Sequence, residues 1–172
     1  MGKRKKLEKK LERMCTAFAS DTLGEYVRVK VDGDFYAMLG GGEYPVEDIV
    51  VYVDPYRKYK KEEREHKAIE AELYYDCDHT LGFFTASLLH ELGHVATMRF
   101  FTGEAITAFE IEHEEVEKGM EDDFQRLYAY KMKPQEMLAD LWFLKMYLPY
   151  NYAQAAAFEK KVMKTVKKIR KI

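Results

Sequence analysis

The chain has 172 residues and a formal net charge of −2, and 47% of it is hydrophobic, with 13 Tyr and 10 Phe. That suffices for one domain with its own core and excludes a largely disordered chain. With only Cys15 and Cys77, a disulfide framework is excluded, and so are zinc fingers and ribbons, which need at least two close ligand pairs.

The charge is unevenly placed. Residues 1–13 carry seven Lys/Arg against two Asp/Glu and residues 159–172 seven against one, a combined +11 that leaves −13 for residues 14–158. Residues 1–172 are therefore read as one domain with basic helical arms at both ends. Such arms either pack on the acidic body as solvated helices or touch nucleic acid. No aromatic residue is interleaved with the basic runs, so solvated arms are favoured and a nucleic-acid partner is not expected. MGKRKKLEKKLERM has no apolar run behind it, unlike a signal peptide, and Lys6 breaks the myristoylation pattern. A cytoplasmic protein without a membrane span is the expectation.

In chain order, residues 3–19 read as a charged helix whose thin apolar stripe is Leu7, Leu11, Met14 and Phe18. Glu25–Val31 alternates as a strand does, Asp32-Gly33 signals a hairpin turn, and Asp34–Leu39 returns. Gly40-Gly41-Gly42 breaks that strand. Asp48–Val53 is a third strand, too continuously β-branched to be exposed, and Asp54-Pro55 ends it. These segments predict a small, mostly antiparallel sheet. Residues 56–75 form a charged surface helix in which His66 is solvated, and Asp76–His79 turns, with Asp78 or His79 near the next N-cap. The run Thr80–Phe101 is apolar nearly all round, the mark of a core helix. Thr102-Gly103 stops it. Ala105–Ile111 is a fourth strand, Glu112–Asp123 is strongly acidic, and Phe124, Leu127 and Tyr128 suggest a short helix. Pro134 opens a further apolar helix that Pro149 closes. Residues 153–171 make a last amphipathic helix, burying Phe158, Val162, Val166 and Ile169.

Inside the core helix lies His90-Glu91-Leu92-Gly93-His94. Histidines four apart share one helix face and can bind one metal ion, with the glutamate able to reach a water on its open side. Two imidazoles and a carboxylate buried without partners would cost several kcal/mol (about 2–7 per uncompensated polar group), and a metal with its water supplies those partners. Gly93 in mid-helix predicts close approach of another backbone.

A catalytic zinc site needs a third protein ligand. Glu104, Glu110, His113 and Glu136 are the candidates downstream; His79 is discounted because it would need a chain reversal. Glu136 and Asp140 sit one turn apart on the apolar helix 134–148, on the face of Phe143 and Tyr147. Both charges are compensated if Glu136 binds the metal and Asp140 accepts the second N–H of His90 or His94. His113 remains the runner-up ligand, within a very polar surround.

H-E-L-G-H at 90–94 followed by E-x-x-A-D at 136–140 resembles the gluzincin branch of zinc metallopeptidases, and within it the small cytoplasmic minimal gluzincins and ImmA/IrrE-type peptidases. The resemblance covers two helices, about a quarter of the chain. It implies an α+β, zincin-like fold: a small twisted sheet on a buried active-site helix, with a helical C-terminal half. It implies one catalytic Zn²⁺ held by His90, His94 and Glu136, with Asp140 behind a histidine and Glu91 as general base in peptide hydrolysis. An edge strand, Ala105–Ile111 or Asp34–Leu39, would bind an extended peptide or protein substrate. Tyr128 or Tyr130 would steady the oxyanion. The competing expectation is an inactive or latent scaffold that binds a protein or nucleic-acid partner.

Overall fold

The computed structural model describes residues 2–39, 49–56, 81–98, 125, 129–130 and 133–172. Helix α1 spans Lys3–Leu23, one turn further than its apolar stripe predicts. It stops where Gly24 takes φ 69°, left-handed backbone that a residue without Cβ adopts freely. Leu11, Cys15, Phe18 and Ala19 form its buried face.

A second row on α1 is polar. Glu12, Thr16 and Ser20 recur every four residues, a rise of about 6 Å, close to the ~6.6 Å between alternate residues of a strand. Strand β1 (Arg28–Val31) runs beside them. Val27 N–H donates to Ser20 Oγ (3.1 Å), Val29 N–H to Thr16 Oγ1 (2.9 Å) and Val31 N–H to Glu12 Oε1 (3.1 Å). Helix side chains thereby close one edge of the sheet.

The three described strands do not meander. β2 (Tyr36–Leu39) and β1 lie on either side of β3 (Ile49–Val53), giving the order β1-β3-β2. β1 runs parallel to β3, with Val29 opposite Val51, while β2 runs antiparallel to it, with Ala37 opposite Val51. The sheet is therefore mixed rather than mostly antiparallel, and Asp32-Gly33 does not close a hairpin between β1 and β2. The physical reason is the intervening strand. A two-residue turn bridges one strand spacing of about 4.8 Å, whereas β1 and β2 are two spacings apart, and residues 32–35 arch over that gap. Asp32 shapes the arch, accepting from Gly33 N–H (2.6 Å) and Tyr36 Oη (2.7 Å). Central placement suits β3, whose Val51 and Val53 are fully buried.

Helix α2 (Phe83–Thr97) carries the H-E-x-x-H run and lies against β2 and β3. Phe84 meets Phe35 edge-on at 5.5 Å. Leu88, Leu89 and Leu92 have no exposed surface, so the expected core helix is present. Its N-cap is Gly82, and Asp78 and His79, expected near it, lie outside the described residues. The cap is supplied from elsewhere in the chain: Gly82 N–H donates to Glu159 Oε2 (2.8 Å), a carboxylate at the positive end of the helix dipole.

Helix α3 (Pro134–Leu141) opens on Pro134 in the first turn, as expected. Pro149 does not close it. Residues Trp142–Tyr147 form a π-helical turn that leads directly into α4 (Leu148–Ile169), and Leu148 N–H reaches back five residues to Phe143 O. Proline inside an α-helix crowds the carbonyl four residues before it, and the widened turn relieves that conflict. Asn151 Nδ2 donates to Tyr147 O (3.0 Å) in the same turn. Nor is this helix apolar all round, for Leu141 and Met146 are exposed. Its buried stripe is Glu136, Ala139, Asp140, Phe143, Leu144 and Tyr147. α4 packs on α1 through stacked Phe18 and Phe158 rings, 3.9 Å apart, and through Val162, Val166 and Ile169.

The architecture is α+β, with a small sheet and a helical C-terminal half. No described helix is long and apolar enough to cross a membrane. Several expected features lie outside the described residues: Gly40-Gly41-Gly42, the charged segment with His66, the Asp76–His79 turn, the Ala105–Ile111 strand, the acidic Glu112–Asp123 run, and Phe124, Leu127 and Tyr128.

Candidate metal centre

Gly93 decides how close the two apolar helices come. A Cβ placed there would overlap the carbonyl oxygen of Ala139 and stand 2.9 Å from its carbonyl carbon and Cα. The backbone approach expected from a mid-helix glycine is therefore real, and the surface it meets belongs to α3. Ala139, between Glu136 and Asp140, is fully buried by that contact. Only the smallest side chains at 93 and 139 let imidazoles on one helix touch carboxylates on the other.

The polar groups converge as follows. His90 Nδ1–H donates to Asp140 Oδ1 (2.5 Å). When the ring is neutral, that bond leaves Nε2 as a lone pair; Nε2 faces His94 Nε2 at 3.1 Å and Glu136 Oε2 at 2.9 Å. Glu136 Oε1 lies 3.3 Å from His94 Nε2. Lone pairs at this range repel unless a cation stands among them. Four ligands at 2.0–2.1 Å around zinc are separated from each other by about 3.3 Å, so the observed 2.9–3.3 Å spacings fit that donor set. Protons satisfy the same contacts in the metal-free state. Asp140 is 1% exposed and Glu136 4%, so neither charge is solvated.

Glu91 is also buried, and His90, Glu91 and His94 each offer a ligand atom within 4.8 Å of the others. Glu136 has a carboxylate oxygen 2.9 Å from His90 Nε2 and another 3.3 Å from His94 Nε2, so both glutamates stand beside the imidazole pair. Burial raises the Glu136 pKa, but hydrogen bonds and charge from His90 and His94 outweigh it, and the net displacement is downward. Tyr130 Oη donates to Glu136 Oε1 (2.9 Å). Its ring is exposed while its hydroxyl is turned inward, and burial, then the Glu136 charge, push its pKa up.

The structure thus brings together all five residues expected at the site, His90, Glu91, His94, Glu136 and Asp140. It settles that Asp140 partners His90. His113, Glu104, Glu110 and His79 lie outside the described residues. Sequence reasoning missed the bond between Tyr130 and Glu136, having cast Tyr130 as an oxyanion donor; a tyrosine six residues before the carboxylate was the only signal. No protein-family model, curated protein or solved structure matches the chain. Chemically, two imidazoles and a carboxylate around one point, with a second carboxylate behind a ring, are a donor set that could hold a divalent cation.

Proposed function

We propose that this protein is a zinc-dependent endopeptidase of the gluzincin kind, working in the cytoplasm. The observation that carries the reading is the meeting of His90 Nε2, His94 Nε2 and Glu136 within 2.9–3.3 Å, with Asp140 on the far side of His90. Zinc in such a donor set acts as a Lewis acid and supplies a water of pKa about 7.

Asp140 fixes the His90 ring so that its Nε2 lone pair points inward. Glu136 would hold the metal as third ligand and supply a negative charge, and Tyr130 ties down one of its oxygens. Glu91 takes the proton of the attacking water as the C–O bond forms at the peptide carbonyl. It delivers that proton to the departing nitrogen as the C–N bond breaks, leaving a free carboxyl and a free amine. With its proton committed to Glu136, Tyr130 acts here as a positioning residue. An extended substrate fits best along the outer side of β2, which no strand covers among the described residues. The sheet packed on α2 and the carboxylates delivered by α3 support a zincin-like fold.

The deciding comparison is wild type against Glu91→Gln. Both bind one equivalent of zinc, and only the wild type cleaves an unfolded protein or peptide library. Equal cleavage by both ends the proposal. Zinc binding without any cleavage by the wild type indicates an inactive scaffold.

A further inference from the structure

The two basic arms, at opposite ends of the sequence, come together in space. α1 and α4 run antiparallel, since Phe18 stacks on Phe158 and Thr165 Oγ1 donates to Met14 Sδ (3.8 Å). The Pro55–Tyr56 corner pins both ends. Arg170 Nε donates to Pro55 O (2.9 Å), Tyr56 Oη donates to Glu8 Oε1 (3.0 Å), and the Arg4 guanidinium sits 4.8 Å over the Tyr56 ring. The +11 of residues 1–13 and 159–172 is thus gathered at one end of the molecule.

Arg4 pairs with Glu8 (3.3 Å), but among the described residues the lysines of this face have no counter-charge. None of the eleven lysines within 3–10 and 160–171 has a side-chain partner among the described residues, and all are exposed. Lys6 and Lys10, Lys160 and Lys164, and Lys167 and Lys171 are like-charged neighbours one turn apart, each pair costing stability. The arginines are engaged instead: Arg4 and Arg170 at the corner, and Arg13 Nε with Lys9 O (3.3 Å). What faces outward is an array of point charges suited to phosphates rather than to bidentate reading of bases.

Beside this array lies a hollow of about 520 Å³ whose lining includes Tyr152, Met163, Leu81, Lys160, Lys164 and Lys167. Its one carboxylate, Glu159, is occupied by Gly82 N–H. Tyr152 is 44% exposed, so an aromatic face absent from the basic runs in sequence is supplied by the fold, at the edge of the lysine rows. A flat lipid surface would meet only one plane of lysines that occupy several sides of two helices. An apolar hollow with a tyrosine and a lysine rim suits a splayed base and its flanking phosphates better.

We propose that the lysine face of α1 and α4 binds single-stranded nucleic acid without sequence preference, with a base seated by Tyr152 and phosphates on Lys160, Lys164 and Lys167. The interaction is independent of the metal centre. The test is fluorescence anisotropy with labelled dT20 and U20, a 20-base-pair duplex, and phosphatidylserine vesicles, on zinc-loaded and chelated protein.

Both oligonucleotides should bind equally in either metal state; preference for one identifies DNA or RNA as the source. With about four phosphates engaged, affinity for the oligonucleotides should fall roughly 50-fold between 50 and 200 mM salt. Replacing Lys160, Lys164 and Lys167 together by Gln should flatten the logarithmic salt slope by about 2. Tyr152→Ala should weaken binding roughly 5- to 150-fold at an unchanged slope. Circular dichroism checks that these surface variants are folded.

No binding at 50 mM salt, or an unaffected triple variant, overturns the proposal. Capture of vesicles but not oligonucleotides reassigns the face to membranes. Equal affinity for duplex together with a silent Tyr152→Ala overturns the single-strand assignment.

Discussion

Where α2 crosses α3, Gly93 lies against the Ala139 peptide and the interface encloses His90, Glu91, Glu136 and Asp140. Where α1 lies on α4, the contact is Phe18 on Phe158, flanked by Leu11, Val162 and Val166, and no charged residue of either helix is buried. The first interface spends buried area on ionisable groups whose desolvation is offset only while each keeps its partner. The second gains apolar burial at about 25 cal/mol per Å² and carries no such risk. Apolar packing and the candidate metal centre thus lie in different helix pairs, joined by the π-helical turn between α3 and α4.

That separation can be broken by experiment. Phe158→Ala should cost the most, about 3–5 kcal/mol in chemical denaturation, while the zinc affinity of the folded fraction stays near wild type. A parallel loss of zinc affinity would show that the two interfaces act as one. Gly93→Ala should do the reverse. Crowding the Ala139 backbone costs about 1–3 kcal/mol, partly offset by about 1 kcal/mol of better helix propensity, but the parted helices should bind zinc at least about tenfold more weakly. Isothermal titration beside a melting curve reads both, and unchanged zinc binding would contradict the contact.

Asp140→Asn should weaken zinc binding about 10- to 100-fold, because the His90 ring loses its anchoring charge. The effect of acid follows from Glu136. Its pKa is depressed in the folded state, so its contribution is present above the ordinary glutamate value, 4.5, and is lost as pH falls through the lower folded value. Metal-free protein should therefore lose stability on acidification below about 4.5, and Glu136→Gln should flatten that limb of the curve. The smallest effect is expected from Thr16→Val, which frees the Val29 N–H at the closed sheet edge. It should cost about 0.5–1.5 kcal/mol and leave zinc binding unchanged.

The histidine pair, its neighbouring glutamate and the Glu136/Asp140 turn were legible because their spacing is set by one helical period and read within a single element. Gly93 signalled a close neighbour for the same reason: a glycine inside an otherwise apolar helix needs one. The sheet was less legible. Alternation marked the strand near β1, the turn after it the strand near β2, and a β-branched run the strand near β3, but none of these signals speaks of order, and the Asp-Gly pair favoured a hairpin that β3 displaces. Pro149 misled because a proline stops an α-helix in most settings, while here a wider turn carries the chain past it. Nothing within α1 itself singles out Glu12, Thr16 and Ser20 until β1 is placed alongside.

Local periodicity, then, was enough to place the described strands and most of the described helices, to mark the faces those helices bury, and to pick out the imidazoles and carboxylates that meet between two of them. Tertiary structure alone decided that β3 lies between β1 and β2, that Asp140 serves His90 rather than His94, that Tyr130 holds Glu136, and that two basic arms from opposite ends of the chain share one face. Each of these is a contact between elements distant in sequence. Such contacts depend on how backbones pack and on which polar groups are left to satisfy, and neither is encoded in the spacing within any one segment.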